Sequence, residues 1–130
     1  MNNTQRLVQI DATLASIPTF ACKPGCSACC GPVLMSRLEW KRICVRLGYD
    51  TNTPQPAETV LANLIDTNHM NCPMLKDGRC SVYDIRPAIC RLFGAAADKM
   101  LECPKGCRPE TYMDGAKAGS MLSEVERLGA

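Results

Sequence analysis

Nine of the ten cysteines in this 130-residue chain fall into two groups whose spacing suits thiolate chemistry. The first is Cys22-x3-Cys26-x2-Cys29-Cys30, and the second is Cys72, Cys80, Cys90, Cys103 and Cys107. Clustered thiols either bind a soft or borderline metal as thiolates or pair as disulfides. The opening stretch, Met1 to Asp11, lacks the unbroken apolar run of an export signal, and no segment approaches the roughly 20 apolar residues of a membrane span. A cytoplasmic location is therefore expected, where thiols stay reduced and metal binding is the commoner use of such clusters. The neighbours Cys29 and Cys30 also fit a disulfide framework poorly, since each would need its own distant partner.

The nine candidate ligands are Cys22, Cys26, Cys29, Cys30, Cys72, Cys80, Cys90, Cys103 and Cys107, more than the four that one tetrahedral zinc or one cubane cluster needs. Compact cysteine runs with a further cysteine held remotely are commoner around iron–sulfur clusters, whereas structural zinc domains usually show paired C-x2-C knuckles. Here Cys26 and Cys29 form the one C-x2-C pair. Spacing thus leans to an iron–sulfur cluster, with zinc as the alternative. Arg86 and Arg91 flank Cys90, and guanidinium groups there would offset thiolate charge from outside the ligand shell. Arg79 and Arg108 read as ordinary surface residues. His69, the one histidine, reads as a loop residue that could complete a ligand set.

Little else in the chain could do chemistry. A single histidine leaves no Ser-His-Asp pattern, there is no phosphate-cradling glycine loop, and the carboxylates are dispersed. An enzyme acting on its own is not expected. Net charge is +2 with both signs interspersed, and only six residues are aromatic, so neither a nucleic-acid footprint nor a base-stacking platform is indicated. Metal ions and a protein partner are the expected partners, with no nucleic acid and no membrane.

The elements that must position these thiols form a single domain, residues 1–130, that is mainly α: about four to five helices around a cysteine-rich metal centre, with at most one short β-hairpin. A helix over 4–17 carries Leu7, Ile10, Leu14 and Ile17 on one stripe and stops at Pro18. Ser36 and Glu39 make a capping box for a helix over 36–47, ended by Gly48. Its inner face carries Trp40, Ile43, Cys44 and Leu47, so Cys44 reads as a small buried hydrophobe, apart from the metal set. A third helix is expected over 56–66. Asp77-Gly78 suits a tight turn that would draw Cys72 and Cys80 together, with Tyr83 packed beneath the hairpin. Pro87 opens a short helix to Phe93 that carries Cys90 inward. A last helix is expected over 109–128, with Met113, Met121, Leu122, Val125 and Leu128 inward.

Three stretches together carry a family resemblance: Cys22-Lys-Pro-Gly-Cys26-Ser-Ala-Cys29-Cys30, Cys72-Pro-Met-Leu-Lys-Asp-Gly-Arg-Cys80-Ser-Val-Tyr83, and Arg86-Pro87-Ala-Ile-Cys90-Arg91-Leu-Phe93. Over about residues 20–107 the chain resembles the bacterial CxxCxxCC, or YkgJ-type, cysteine-cluster family of zinc- or iron-chelating domains. Its first gap is x3 where the family's label has x2. The resemblance implies metal binding through these cysteines and an eighth cysteine near the end, for which Cys103 and Cys107 both stand. A related domain occurs in flagellin lysine methylases, a relation that implies an iron–sulfur cluster and leaves a partner role in protein modification open. The function expected is thus an iron–sulfur or iron-binding protein with a redox role or one accessory to a protein-modification reaction. The alternatives are a structural zinc module that mediates protein–protein interaction and a metal-trafficking protein.

Overall fold

The computed structural model describes residues 1–21, 33–58, 72, 74–77, 79–103 and 105–130. Helix α1, Asn3–Leu14, begins at a reciprocal cap: Asn2 Oδ1 accepts the Gln5 N–H at 2.8 Å and Gln5 Oε1 accepts the Asn2 N–H at 2.9 Å. It stops three residues before the expected Ile17. The chain tightens there into a single turn, with Ile17 N–H donating to Leu14 O, because a residue ahead of proline is driven out of the helical region. Ile17 is buried all the same.

Helix α2, Arg37–Leu47, follows the sequence signals closely. Ser36 and Glu39 form the capping box, and Gly48 takes a left-handed φ of 74° that lets Tyr49 N–H donate to Cys44 O. Residues 56–58 are helical. The rest of the helix expected over 56–66 lies outside the described residues. Strands β1 (Leu75–Lys76) and β2 (Arg79–Cys80) pair antiparallel, with Leu75 opposite Cys80. Asp77, with φ 51°, makes the left-handed bend that a tight hairpin needs. A 3₁₀ turn, Tyr83–Ile85, leads to helix α3, Ala88–Leu92.

The remaining chain departs from expectation in two places. Strand β3 (Ala96–Ala97) pairs in parallel with β4 (Met113–Asp114), a contact between residues far apart in sequence that no local signal announces. That pairing also delays the last helix, expected from 109, which runs as α4 over Gly115–Gly129. Met113 N–H is committed to Ala95 O at 2.8 Å, and Asp114 caps the helix by accepting the Ala116 N–H at 2.9 Å.

Two apolar clusters result. In one, α1 and α4 pack against Ala88, Leu92, Ala96 and Met113. In the other, Trp40, Ile43 and Cys44 of α2 meet Met74 and Val82 around the hairpin, with Cys72 and Cys80 packed at its margin. Helix α3 lies between them, so one of its faces joins the first cluster while Cys90 is left at the boundary. Ion pairs of 2.9 Å tie α2 to both neighbours: Arg42 Nη1 donates to both carboxylate oxygens of Asp11 of α1, and Arg46 pairs through Nη1 and Nη2 with the two oxygens of Asp84 of the 3₁₀ turn.

Candidate metal centre

Cys72, Cys80 and Cys90 come from the approach to the hairpin, from strand β2 and from helix α3, and all three line one cavity of about 30 Å³. Its other walls are mainly apolar, including Met35, Ile43 and Val82, and Arg86 reaches it as well. Burial pushes the Cys72 thiol above its ordinary range; the Met74 N–H that donates to its sulfur pulls the other way, and the nearby Cys80 adds to the rise. Burial is thus the leading influence on this thiol, and a bound cation would reverse it.

A wider cleft of about 170 Å³ opens on the other side of Cys90 and Arg86, between the end of α1 and α3. Cys103, Arg91 and Phe20 are also on its walls. These lining residues bracket the first cysteine group in the chain. Phe20, two residues before Cys22, lies on the cleft, and Val33, three residues after Cys30, lies on the smaller cavity. Cys22, Cys26, Cys29 and Cys30 themselves, with His69, lie outside the described residues. Among the described residues, no group of three or more Cys, His, Asp or Glu side chains is close enough to hold an ion alone.

Arg86 and Arg91 are both half-buried beside Cys90. Arg86 stacks over the Tyr83 ring at 3.8 Å and its Nε–H donates to Tyr83 O at 3.1 Å. Arg91 is fixed by backbone acceptors, donating to Arg86 O and Asp84 O, each at 3.1 Å. Burial first, and the Arg86 charge second, draw the Arg91 guanidinium below its ordinary value. Among the described residues neither arginine has a carboxylate partner. Arg79 and Arg108 are exposed, as expected of surface residues.

Tyr83 corrects an expectation. It is 55% exposed, outside the hairpin, because the 3₁₀ turn sends Val82 into the core in its place. Cys44 is fully buried among Trp40, Ile43 and Val82, and burial, with Asp50 adding, raises its thiol. It is core. Cys107 meets Cys103 across a turn in which Gly106, at φ 76°, donates its N–H to Cys103 O at 3.1 Å. Burial pushes the Cys103 thiol up, but the N–H groups of Lys105, Cys107 and Gly106 and the Cys107 thiol outweigh it and hold Cys103 below the ordinary range.

One contributor escaped the sequence reading. The Glu39 carboxylate, only 2% exposed, accepts the Ala88 N–H at 2.7 Å and so holds α3, with Cys90, against α2. Its capping-box position was legible, but its second partner is 49 residues away.

Half-buried thiols from separate elements facing one apolar cavity, with guanidinium groups beside them, are a donor set that fits zinc or iron. The model of the CxxCxxCC family, described as a putative zinc- or iron-chelating domain, matches residues 21–108. The chain belongs to this family. The match takes in all nine cysteines of the two groups and leaves α4 and the whole of α1 and its turn outside it. No curated protein and no solved structure matches the chain. Among the described residues, no helix is long and apolar enough to cross a membrane.

Proposed function

We propose that this CxxCxxCC domain holds an iron–sulfur cluster through thiolates of the first cysteine group together with Cys72, Cys80 and Cys90. The observation that carries this reading is the shared cavity of Cys72, Cys80 and Cys90, flanked by residues on either side of the first group. In this reading β2 and α3 act as two fixed arms, and Cys22, Cys26, Cys29 and Cys30 are the source of the remaining sulfurs. Arg86 and Arg91 supply positive charge that stabilises thiolates and favours the reduced form. When bound, the cluster supplies one-electron redox chemistry. The protein then serves electron transfer, redox sensing or an accessory step of a protein modification, in the cytoplasm and with a protein partner.

A second reading rests on the donors. Cys72, Cys80 and Cys90 share one cavity, and thiolates in such a set are ligands that a single zinc takes as well as a cluster does. A zinc ion there would be structural, closing hairpin and helix together and presenting α1 and α4 to a partner.

Anaerobic purification, a visible spectrum and elemental analysis of the same sample separate the two. Broad visible absorption with matched iron and sulfide supports the cluster. A colourless protein with stoichiometric zinc overturns it in favour of the structural module.

A further inference from the structure

Arg86 and Arg91 do more than flank Cys90. Both stand on the walls of the wider cleft between the end of α1 and α3, half-buried and near enough that the charge of one is felt by the other. Each is pinned from one side. Arg86 stacks over the Tyr83 ring and gives its Nε–H to Tyr83 O, while Arg91 gives its Nε–H and an Nη2–H to Arg86 O and Asp84 O. All of these acceptors are neutral carbonyls. Among the described residues, neither Nη group of Arg86 nor Nη1 of Arg91 has a hydrogen-bond partner. The sealed polar atoms without partners belong instead to Arg42 and Ser81, so the free Nη groups are within reach of a solute. The carboxylates nearby are committed elsewhere, Asp11 to Arg42, Asp84 to Arg46, and Glu39 to Ser36 and Ala88. Two like charges held together without an acid between them cost free energy, and an anion seated on both offsets it. Apolar side chains stand beside them, since Leu14, Ile17, Phe20 and Phe93 line the same cleft.

We propose that this cleft binds a small aryl carboxylate, with its carboxylate on the free Nη groups of Arg86 and Arg91 and its ring against Phe20 and Phe93. Guanidinium forks match a planar carboxylate, and their charge-assisted hydrogen bonds are stronger than neutral ones. The phenylalanines add ring-to-ring contact on the apolar side. The cleft's volume of about 170 Å³ suits a single-ring body, for which an apolar cavity of about 150 Å³ is known to suffice. Acetate offers the charge without the ring, and benzamide offers the ring without the charge, so both should bind less well than benzoate. Cys90 and Cys103 share these walls, and an acid held here stands beside the proposed metal centre. The site itself is made by arginines and apolar side chains, so it goes beyond the reading above and does not depend on it.

The test is isothermal titration calorimetry of the protein as purified, with its metal content measured before and after. Benzoate should bind saturably, one per chain, and benzamide and acetate should each bind about tenfold more weakly or worse. Arg86→Gln and Arg91→Gln should each weaken benzoate on the order of tenfold. Phe20→Leu should weaken benzoate and leave acetate little changed. Arg79→Gln, at an exposed arginine outside the cleft, should leave benzoate binding as it is. Arg91 also braces two backbone carbonyls, so if its variant folds poorly, benzoate against benzamide on the wild-type protein decides alone. The proposal is overturned by the absence of saturable benzoate binding, by equal affinity for benzoate and benzamide, or by benzoate binding that both arginine variants retain. Acetate or inorganic phosphate binding as tightly as benzoate overturns it too, because the cleft would then take any anion. A zinc-loaded preparation should bind benzoate as an iron-loaded one does, so failure of either proposal leaves the other standing.

Discussion

Glu39 Oε2 accepts the Ala88 N–H at 2.7 Å, while Oε1 accepts the Ser36 N–H and Oγ–H at 3.1 and 2.8 Å. One buried carboxylate thus satisfies the start of α2 and the first turn of α3, two residues before Cys90. Removing it leaves buried donors with no acceptor. Glu39→Ala should cost about 3 kcal/mol in urea unfolding. Glu39→Gln should also destabilise, because one face of its amide presents an NH₂ to a donor. Full stability of Glu39→Gln would mean that a charged acceptor is unnecessary at this junction.

What could be read from sequence was what is decided locally. The caps at Ser36 and Gly48, the bend at Asp77 and the stripe of Ile10, Leu14 and Ile17 all depend on neighbours within a few residues, and the structure places them as expected. The hairpin was legible for the same reason. The pairing of Ala96 with Met113 was not, since it is set by tertiary packing, and with it the true start of α4 was hidden. Glu39 shows both cases in one residue. Its partner Ser36 was visible three positions away, and its partner Ala88 was not.

Cys44 tests the division between core and ligand thiols. It is fully buried in an apolar cluster. Cys44→Ser should lower stability by about 1–3 kcal/mol, the cost of an apolar-site hydroxyl, with bound metal per chain unchanged. Cys90→Ser should do the reverse in kind, lowering metal content. Loss of metal in Cys44→Ser with the fold intact, by inductively coupled plasma analysis and circular dichroism, would place Cys44 among the ligands.

Gly94 sits where a side chain cannot. Its φ is 78°, and a Cβ there would lie 2.5 Å from Phe20 Cζ on the wall of the wider cleft. Gly94→Ala should therefore destabilise by about 2–3 kcal/mol, from strain and collision together. Combining it with Phe20→Ala should recover the collision part and leave the strain, a coupling of about 1 kcal/mol in a double-mutant cycle. Strict additivity of the two would show that Phe20 is free to move aside.

Cys72 sets a pH dependence for the metal-free protein. Burial, and to a smaller extent the neighbouring Cys80, raise its folded value above the 9.0 of an ordinary thiol. A group raised on folding holds its proton more tightly in the native state, so its contribution is complete below pH 9.0 and is lost as pH rises through the folded value. The urea midpoint of metal-free protein should hold steady through neutral pH and fall in the alkaline range. In Cys72→Ala that fall should be shallower. Metal reverses the sign locally, because a coordinated thiol must be ionised, so affinity should rise with pH as protons are released on binding. Equal alkaline slopes for wild type and Cys72→Ala would mean that the thiol is no harder to ionise in the fold than out of it, and the cavity would not be the low-polarity site its walls describe.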